Sequence, residues 1–400
     1  MNEERKKRRR TSPMTLVACN MLQQRSRLVD QLPADVMAHV LGMLSLQEVI
    51  GLRAVSKLAT NRLVLPDSKS PSIRSASMSS AAMTALFVFD TSEKALQTLQ
   101  QSLRLTKSLT LNGADSVRLL YCLRFKQLQT LDLQLYRQGD LTPLASLVHL
   151  QCLKLATYRQ GDLEPLRALV QLQWLELDKY RQGDLGPLAA LVQLQSLFLG
   201  GYRHGELKPL AALTSLHTLY LTEYKEGDLL PLAKLARLRT LYLNSYRQGD
   251  LSALGALSNL DTLDLGSYAQ GKLTPLATLV QLQVLDLDSY NQGGLEPLAS
   301  LVNLQILQLA SYRQGDLTPL SPLVQLQLLN MRSYEQGSLG PLATLVQLRE
   351  LILDSYQRGD LTPITKLRQL EVIGIFRYRF DSPEAYHDFG RLLPNVRVRD

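Results

Sequence analysis

Residues 128–149 read LQTLDLQLYRQGDLTPLASLVH, and residues 150–171 read LQCLKLATYRQGDLEPLRALVQ. The same 22-residue phrase returns without a slip through residue 369, eleven units in all, and tyrosine keeps its place from Tyr136 and Tyr158 to Tyr356 and Tyr378. A fixed period of this size marks a repeat architecture, because one such unit cannot close a core and must lend its apolar face to the next. Within a unit the segment LxxLxL alternates apolar and polar residues, the period of a strand with one buried face. The following Tyr-x-x-Gly-Asp-Leu-x-Pro-Leu supplies a turn glycine, then a proline suited to the first position of a short helix. Pro143, Pro165, Pro187, Pro209 and Pro231 hold that place, and Ala253 breaks it. These residues predict an α/β solenoid with a parallel β-sheet on its concave face and short helices and turns on its convex face.

The unit resembles the 22-residue leucine-rich repeat of internalins and of phosphatase-regulating repeat proteins, with Asp140, Leu141, Pro143 and Leu144 matching the D-I-x-P-L segment of that pattern. Tyr136 and its equivalents stand where the family has an asparagine that bonds along the solenoid, and Gln138 and its equivalents replace the first isoleucine. A ladder of stacked tyrosines is expected instead, spaced at about 5 Å, the separation of neighbouring strands.

The chain has 400 residues, 45% hydrophobic, enough for a long core, and no apolar run reaches the length of a membrane span. Cys19, Cys122 and Cys152 form no disulfide framework, which favours a reducing compartment, cytoplasmic or nuclear. The net charge of +8 is concentrated at the start: residues 1–30 hold eight basic and three acidic side chains. Residues 1–27 read as a basic disordered tail, in which Lys6, Lys7, Arg8, Arg9 and Arg10 form a candidate nuclear-import signal.

Residues 28–65 differ from the repeats in kind. Pro33 opens a helical pattern carried by Val36, Met37, Val40, Leu41 and Leu44, and Ser45 with Glu48 forms a capping box leading into Val49, Ile50, Leu52 and Val55. The segment resembles an F-box, the small all-α module that docks onto the adaptor subunit of cullin-RING ubiquitin ligases. Leu32, Pro33, Val40, Leu41, Leu44, Val49 and Ile50 match its adaptor-binding positions, while Leu46 and Ala59 stand where proline and tryptophan are usual. Residues 66–84 are serine-rich and read as a linker. Residues 85–127 read as irregular capping repeats, with a strand at Phe87–Phe89, a helix over Glu93–Leu103, and Leu109 and Leu111 in repeat register. Residues 128–369 are the regular repeats, and 370–400 a degenerate C-terminal capping repeat.

An F-box followed by leucine-rich repeats resembles the substrate receptors of cullin-based ubiquitin ligases, which implies an adaptor partner at the helical module and a protein target on the solenoid. The target site is read from the positions between the strand leucines. Along the middle column stand Asp132, Lys154, Glu176, Phe198, Tyr220, Tyr242, Asp264, Asp286, Gln308, Asn330 and Ile352, with Trp174 one column over. Trp174, Phe198, Tyr220 and Tyr242 make an aromatic patch with Glu176, Asp178, Asp264, Asp286 and Asp288 at its flanks, a composition typical of binding hot spots. Mild mutual stacking along the sheet is the plainer account of the same residues.

Two alternatives come from other classes. A repeat scaffold or phosphatase regulator has no ubiquitin role. A nucleic-acid binder would use the basic row Arg137, Arg159, Arg181, Arg203, Lys225 and Arg247, but Asp140, Asp162, Asp184, Glu206, Asp228 and Asp250 run beside it and oppose a phosphate backbone. No catalytic residues, cofactor or metal site are expected: the five histidines have no ligand spacing, and no phosphate-cradling loop appears. Arg358, Gly359 and Asp360 spell an integrin-type tripeptide, which a swap within the repeat's Arg-Gln-Gly-Asp explains.

Overall fold

The computed structural model describes residues 75–78, 107–112 and 127–399, apart from 135, 182, 204, 226, 248, 270, 292, 314, 336, 355, 357–358, 377, 379–388 and 395. The basic tail and the F-box-like segment with Leu32, Pro33, Val40, Leu41, Leu44, Val49 and Ile50 lie outside the described residues, as do the readings at Phe87–Phe89 and Glu93–Leu103. Among the described residues, fifteen strands form one parallel sheet in chain order. They begin with β1 (Ser75–Met78), β2 (Ser108–Asn112) and β3 (Thr130–Gln134), and the regular units after the first contribute three residues each. These are β4 (Cys152–Lys154), β5 (Trp174–Glu176), β6 (Ser196–Phe198), β7 (Thr218–Tyr220), β8 (Thr240–Tyr242), β9 (Thr262–Asp264), β10 (Val284–Asp286), β11 (Ile306–Gln308), β12 (Leu328–Asn330) and β13 (Glu350–Ile352). β14 (Val372–Gly374) and β15 (Arg397–Arg399) close the sheet. Each residue pairs with its equivalent one unit on, as Trp174 does with Ser196 and Glu176 with Phe198.

The helices of the regular units are 3-10 rather than α. Eleven of them are described, from Thr142–Ser146 to Thr362–Lys366. The cause is the spacing of the leucines: Leu141, Leu144, Leu147 and Leu150 recur every third residue, so only a helix of three residues per turn keeps all of them on the core side. Their own amides follow that period, Leu144 N–H donating to Leu141 O, Leu147 to Leu144 and Leu150 to Leu147, each at 2.9 Å. All four side chains are buried. Where an aspartate precedes the helix it accepts the N–H two residues on, as in Thr142 N to Asp140 Oδ1 at 2.8 Å and Leu230 N to Asp228 Oδ1 at 2.7 Å, which fixes the entry into the turn. The aspartates of the acidic row are thus engaged with backbone N–H groups. Gly359 and Asp360 keep both repeat roles, accepting the Tyr378 hydroxyl and the Thr362 N–H, as expected of a swap within the repeat.

One segment differs from expectation. The stretch read as a linker contains β1, paired with β2 from Ser75↔Ser108 to Met78↔Leu111. An open sheet edge is a row of free N–H and C=O groups, and it can order a strand that has little side-chain hydrophobicity of its own. The C-terminal segment, read as a degenerate capping repeat, holds two strands, β15 pairing with β14 through Ile373↔Val398.

The tyrosines form the expected ladder, but at a wider spacing. Successive rings from Tyr136 to Tyr290 are parallel within 5° with centroids 5.9–6.5 Å apart. Rings on the sheet face are closer, 4.2 Å for Tyr220 and Tyr242. Units therefore fan apart away from the sheet, and this makes the strand face concave. Each hydroxyl also donates to the glycine carbonyl of the preceding unit, as in Tyr158 to Gly139 at 3.1 Å, Tyr246 to Gly227 at 3.1 Å and Tyr268 to Gly249 at 2.9 Å. Tyr136, at the start of the regular series, turns its hydroxyl to its own Asp140 carbonyl. From Tyr158 to Tyr378, Tyr312 alone lacks the glycine bond among the described residues. Its partner would be Gly293, whose φ of +98° departs from the +133° to +154° of the other turn glycines, and it is followed by a second glycine, Gly294, where other units have aspartate, glutamate, lysine or serine.

Burial raises the pKa of these hydroxyls, with neighbouring tyrosines and turn acids adding to it; those of Tyr180, Tyr202, Tyr224, Tyr268 and Tyr334 are pushed up to about 12. An unfolded tyrosine ionises near ~10, so above that pH the unfolded chain releases protons that the folded chain retains. Stability present below pH ~10 is therefore lost as pH rises toward about 12. Urea unfolding should show a flat midpoint from pH 7 to 9 and a steep fall above 10, and Tyr224→Phe should lower stability at pH 7 by about 1 kcal/mol while blunting that fall. A midpoint unmoved by alkali would contradict the ladder.

Candidate functional site

The strand geometry that buries Leu175, Leu197, Leu219 and Leu241 turns the residues on either side of them to the concave face. The sequence-predicted aromatics meet there in one run. Phe198, Tyr220 and Tyr242 are in-register neighbours on β6, β7 and β8, and their centroids lie 4.5 and 4.2 Å apart. Trp174 lies on β5 opposite Ser196 and leans diagonally onto Phe198, at 4.6 Å and a 34° tilt. Trp174 is 38% exposed, and the other three are half-buried. The expected patch therefore forms as a continuous stack, in which Phe198 and Tyr220 each have a ring on both sides.

The acids lie at both ends of this stack. Glu176 pairs with Phe198 across the strands, and Asp264 pairs with Tyr242, with Asp286 next after it. Burial raises the pKa of Glu176 and Asp178, with Asp178 adding to the effect on Glu176. Burial also raises Asp264 and pushes Asp286 up to about 6. At Asp286 a hydrogen bond from the Asp288 N–H, at 2.8 Å, works against the shift, and the Asp288 and Asp264 charges reinforce it. Asp264 and Asp286 accept only backbone N–H groups and have no ion-pair partner among the described residues. Two half-buried carboxylates held side by side without a cation cost stability, and they suit a site that receives a cation from outside.

A second apolar row was not singled out in the sequence. Val284, Ile306 and Leu328 are in-register neighbours on β10, β11 and β12, half-buried on the same face but in the column that Trp174 occupies. The signal was the second x of LxxLxL, which changes from threonine at Thr218, Thr240 and Thr262 to aliphatic residues at these three strands. Beside them, Asn330 Nδ2 donates to Gln308 Oε1 at 2.7 Å. The middle column ends on Ile352, which is buried.

Elsewhere chemistry is sparse. Among the described residues no three His, Cys, Asp or Glu side chains are grouped to hold a metal ion, and no helix is long and apolar enough to cross a membrane. Of the basic row, Arg203 is ion-paired with Glu223 at 2.7 Å.

The raised Asp286 pKa carries a sign. Its folded value exceeds its unfolded one, so the stability it contributes is present at low pH and lost as pH rises through about 6. Asp286→Asn, which keeps an acceptor for the Asp288 N–H, should raise the melting temperature at pH 7 and flatten its change between pH 5 and 7. A lowered melting temperature at pH 7 would show that the carboxylate serves the fold instead.

No protein-family model and no curated protein sequence matches the chain. Solved structures do. An internalin (inlF) from Listeria monocytogenes aligns at 27% identity over 77% of this chain and 92% of that one, with a TM-score of 0.68. A leucine-rich-repeat protein of Leptospira interrogans aligns at 20% identity over 76% and 92%, with a TM-score of 0.56. TLR13, in its ssRNA13 complex, aligns at 16% identity over 76% and 59%, with a TM-score of 0.51, and like the Leptospira protein it bears on the fold alone. The described chain is a leucine-rich-repeat solenoid of internalin-like architecture.

Proposed function

We propose that the chain is a protein-binding receptor, and specifically the target-recognising subunit of a cullin-based ubiquitin ligase. The observation that carries the binding role is the concave stack Trp174, Phe198, Tyr220 and Tyr242 bounded by unpaired acids: an exposed aromatic cluster on a rigid sheet is the composition of an interaction hot spot. Mutual stacking alone does not account for half-buried Asp264 and Asp286 left without a cation. The ligase role rests on the F-box-like residues Leu32, Pro33, Val40, Leu41, Leu44, Val49 and Ile50, which would engage the adaptor while the solenoid holds the target. In this reading the chain binds and does not catalyse, requires no cofactor, and works in the cytoplasm or nucleus, with Lys6 to Arg10 as an import signal. The alternative, a repeat scaffold with no ubiquitin role, shares the concave site and lacks the adaptor.

Purification of the full chain from its native host separates the two. The unmodified chain should recover adaptor, cullin and a target. Leu32→Ala with Pro33→Ala should lose adaptor and cullin and keep the target. Phe198→Ala with Tyr220→Ala should keep the adaptor and lose the target by at least about thirtyfold in affinity, since a truncated anchor costs about 2 kcal/mol or more. Adaptor absent from every sample leaves the scaffold reading. Target retained within twofold by the aromatic variant, with unchanged circular dichroism, refutes the concave site.

A further inference from the structure

The concave face carries two apolar rows that are not in line. The rings of Phe198, Tyr220 and Tyr242 occupy the middle column on β6 to β8, while Val284, Ile306 and Leu328 occupy the first column on β10 to β12. Asp264 and Asp286 continue the ring column through β9 and β10, so the acids bridge from one row to the other. Val284 and Asp286 sit two residues apart on β10, flanking the buried Leu285. Together these residues trace one diagonal path across the face: rings, then negative charge, then aliphatic side chains. The path is bounded beyond Leu328 by Glu350, the next residue in that column.

Resting on the concave-site reading above, we propose that this path binds a single extended segment of the target, laid across the strands. The segment sets an apolar residue on the rings, a lysine or arginine at Asp264 and Asp286, and an aliphatic residue on Val284, Ile306 and Leu328. Charge selects the occupant. Glu176, Asp178, Asp264, Asp286 and Asp288 repel a nucleic-acid or other polyanionic backbone and attract a basic peptide, and the two central acids have no ion-pair partner among the described residues. Chain geometry sets the spacing. Neighbouring strands lie about 4.8 Å apart, and an extended residue advances about 3.3 Å. From Tyr220 to the midpoint between Asp264 and Asp286 is two and a half strand intervals, roughly 12 Å, or three to four residues. From there to Ile306, with the shift of one column, is roughly 10 Å, or about three residues. Gln308, whose Oε1 accepts from Asn330, has its amide N–H groups left for a passing backbone carbonyl.

The test selects a displayed library of random twelve-residue peptides on the full chain. Enriched peptides should carry an apolar residue, a lysine or arginine three to four positions later, and an aliphatic residue about three positions after that. Asp264→Asn with Asp286→Asn should erase the preference for a cation. Ile306→Thr with Leu328→Thr, which places in that column the residue found at Thr218, Thr240 and Thr262, should erase the aliphatic preference and weaken a selected peptide at least about tenfold. Melting temperatures no more than slightly below that of the unmodified chain, and above it for the asparagine variant, would confirm that these variants fold. Peptides that bind equally well with the spacing scrambled, or no enrichment at all, overturn the proposal. If the threonine variant binds selected peptides within twofold while Phe198→Ala with Tyr220→Ala abolishes binding, the two-row path is wrong and the concave site stands. If neither variant matters, both readings fall.

Discussion

A tyrosine hydroxyl donating to the glycine carbonyl of the preceding unit is the bond on which the rest of this solenoid depends. It ties each unit to its predecessor beyond the end of the strand, beside backbone bonds such as Arg159 N–H to Arg137 O at 2.8 Å. The ring must lie flat against its neighbour to make it, as the near-parallel planes show. The glycine must in turn hold a φ between +133° and +154° in the regular units, and a Cβ there would overlap the hydroxyl of the same unit's tyrosine. Tyrosine and glycine are therefore one device, repeated because a solenoid is only as regular as its least constrained junction. The junction between Gly293 and Tyr312 is the exception: a second glycine follows the turn glycine, its φ falls to +98°, and among the described residues the bond is not made.

The device has a consequence on the opposite side. Rings spaced at 5.9–6.5 Å on the ladder and at 4.2–4.6 Å on the sheet face require each unit to be a wedge. The wedge curves the sheet and draws the concave side chains together, so that four aromatics from four strands form one stack. Recognition and stability are then separable by location. The buried leucines and tyrosines hold the form, and the concave columns are free to carry residues such as Asp286 that disfavour the fold slightly and suit a ligand.

Much of this was legible in the sequence. The 22-residue period gave the solenoid and the strands, and the variable positions between leucines brought out the aromatic run and its acids. The 3-10 geometry was also present, in the three-residue spacing of Leu141, Leu144, Leu147 and Leu150, but a proline before an apolar run reads equally as the start of an α-helix. The hydroxyl–carbonyl bond was not legible, because it joins residues 19 apart whose meeting depends on the curvature of the stack. β1 was missed because Ser75–Met78 pairs through its backbone, which composition does not report. The aliphatic row of Val284, Ile306 and Leu328 was missed because only the middle column was followed.

The most direct measurement is the equilibrium unfolding of Gly227→Ala at neutral pH. Gly227 has a φ of +141°, and its carbonyl accepts the Tyr246 hydroxyl at 3.1 Å. A Cβ there meets the Tyr224 hydroxyl, so one methyl group disturbs two junctions of the ladder. The account predicts a loss of at least about 1–3 kcal/mol, the cost of a non-glycine residue held in a strained backbone region. An unfolding midpoint equal to that of the unmodified chain would contradict it.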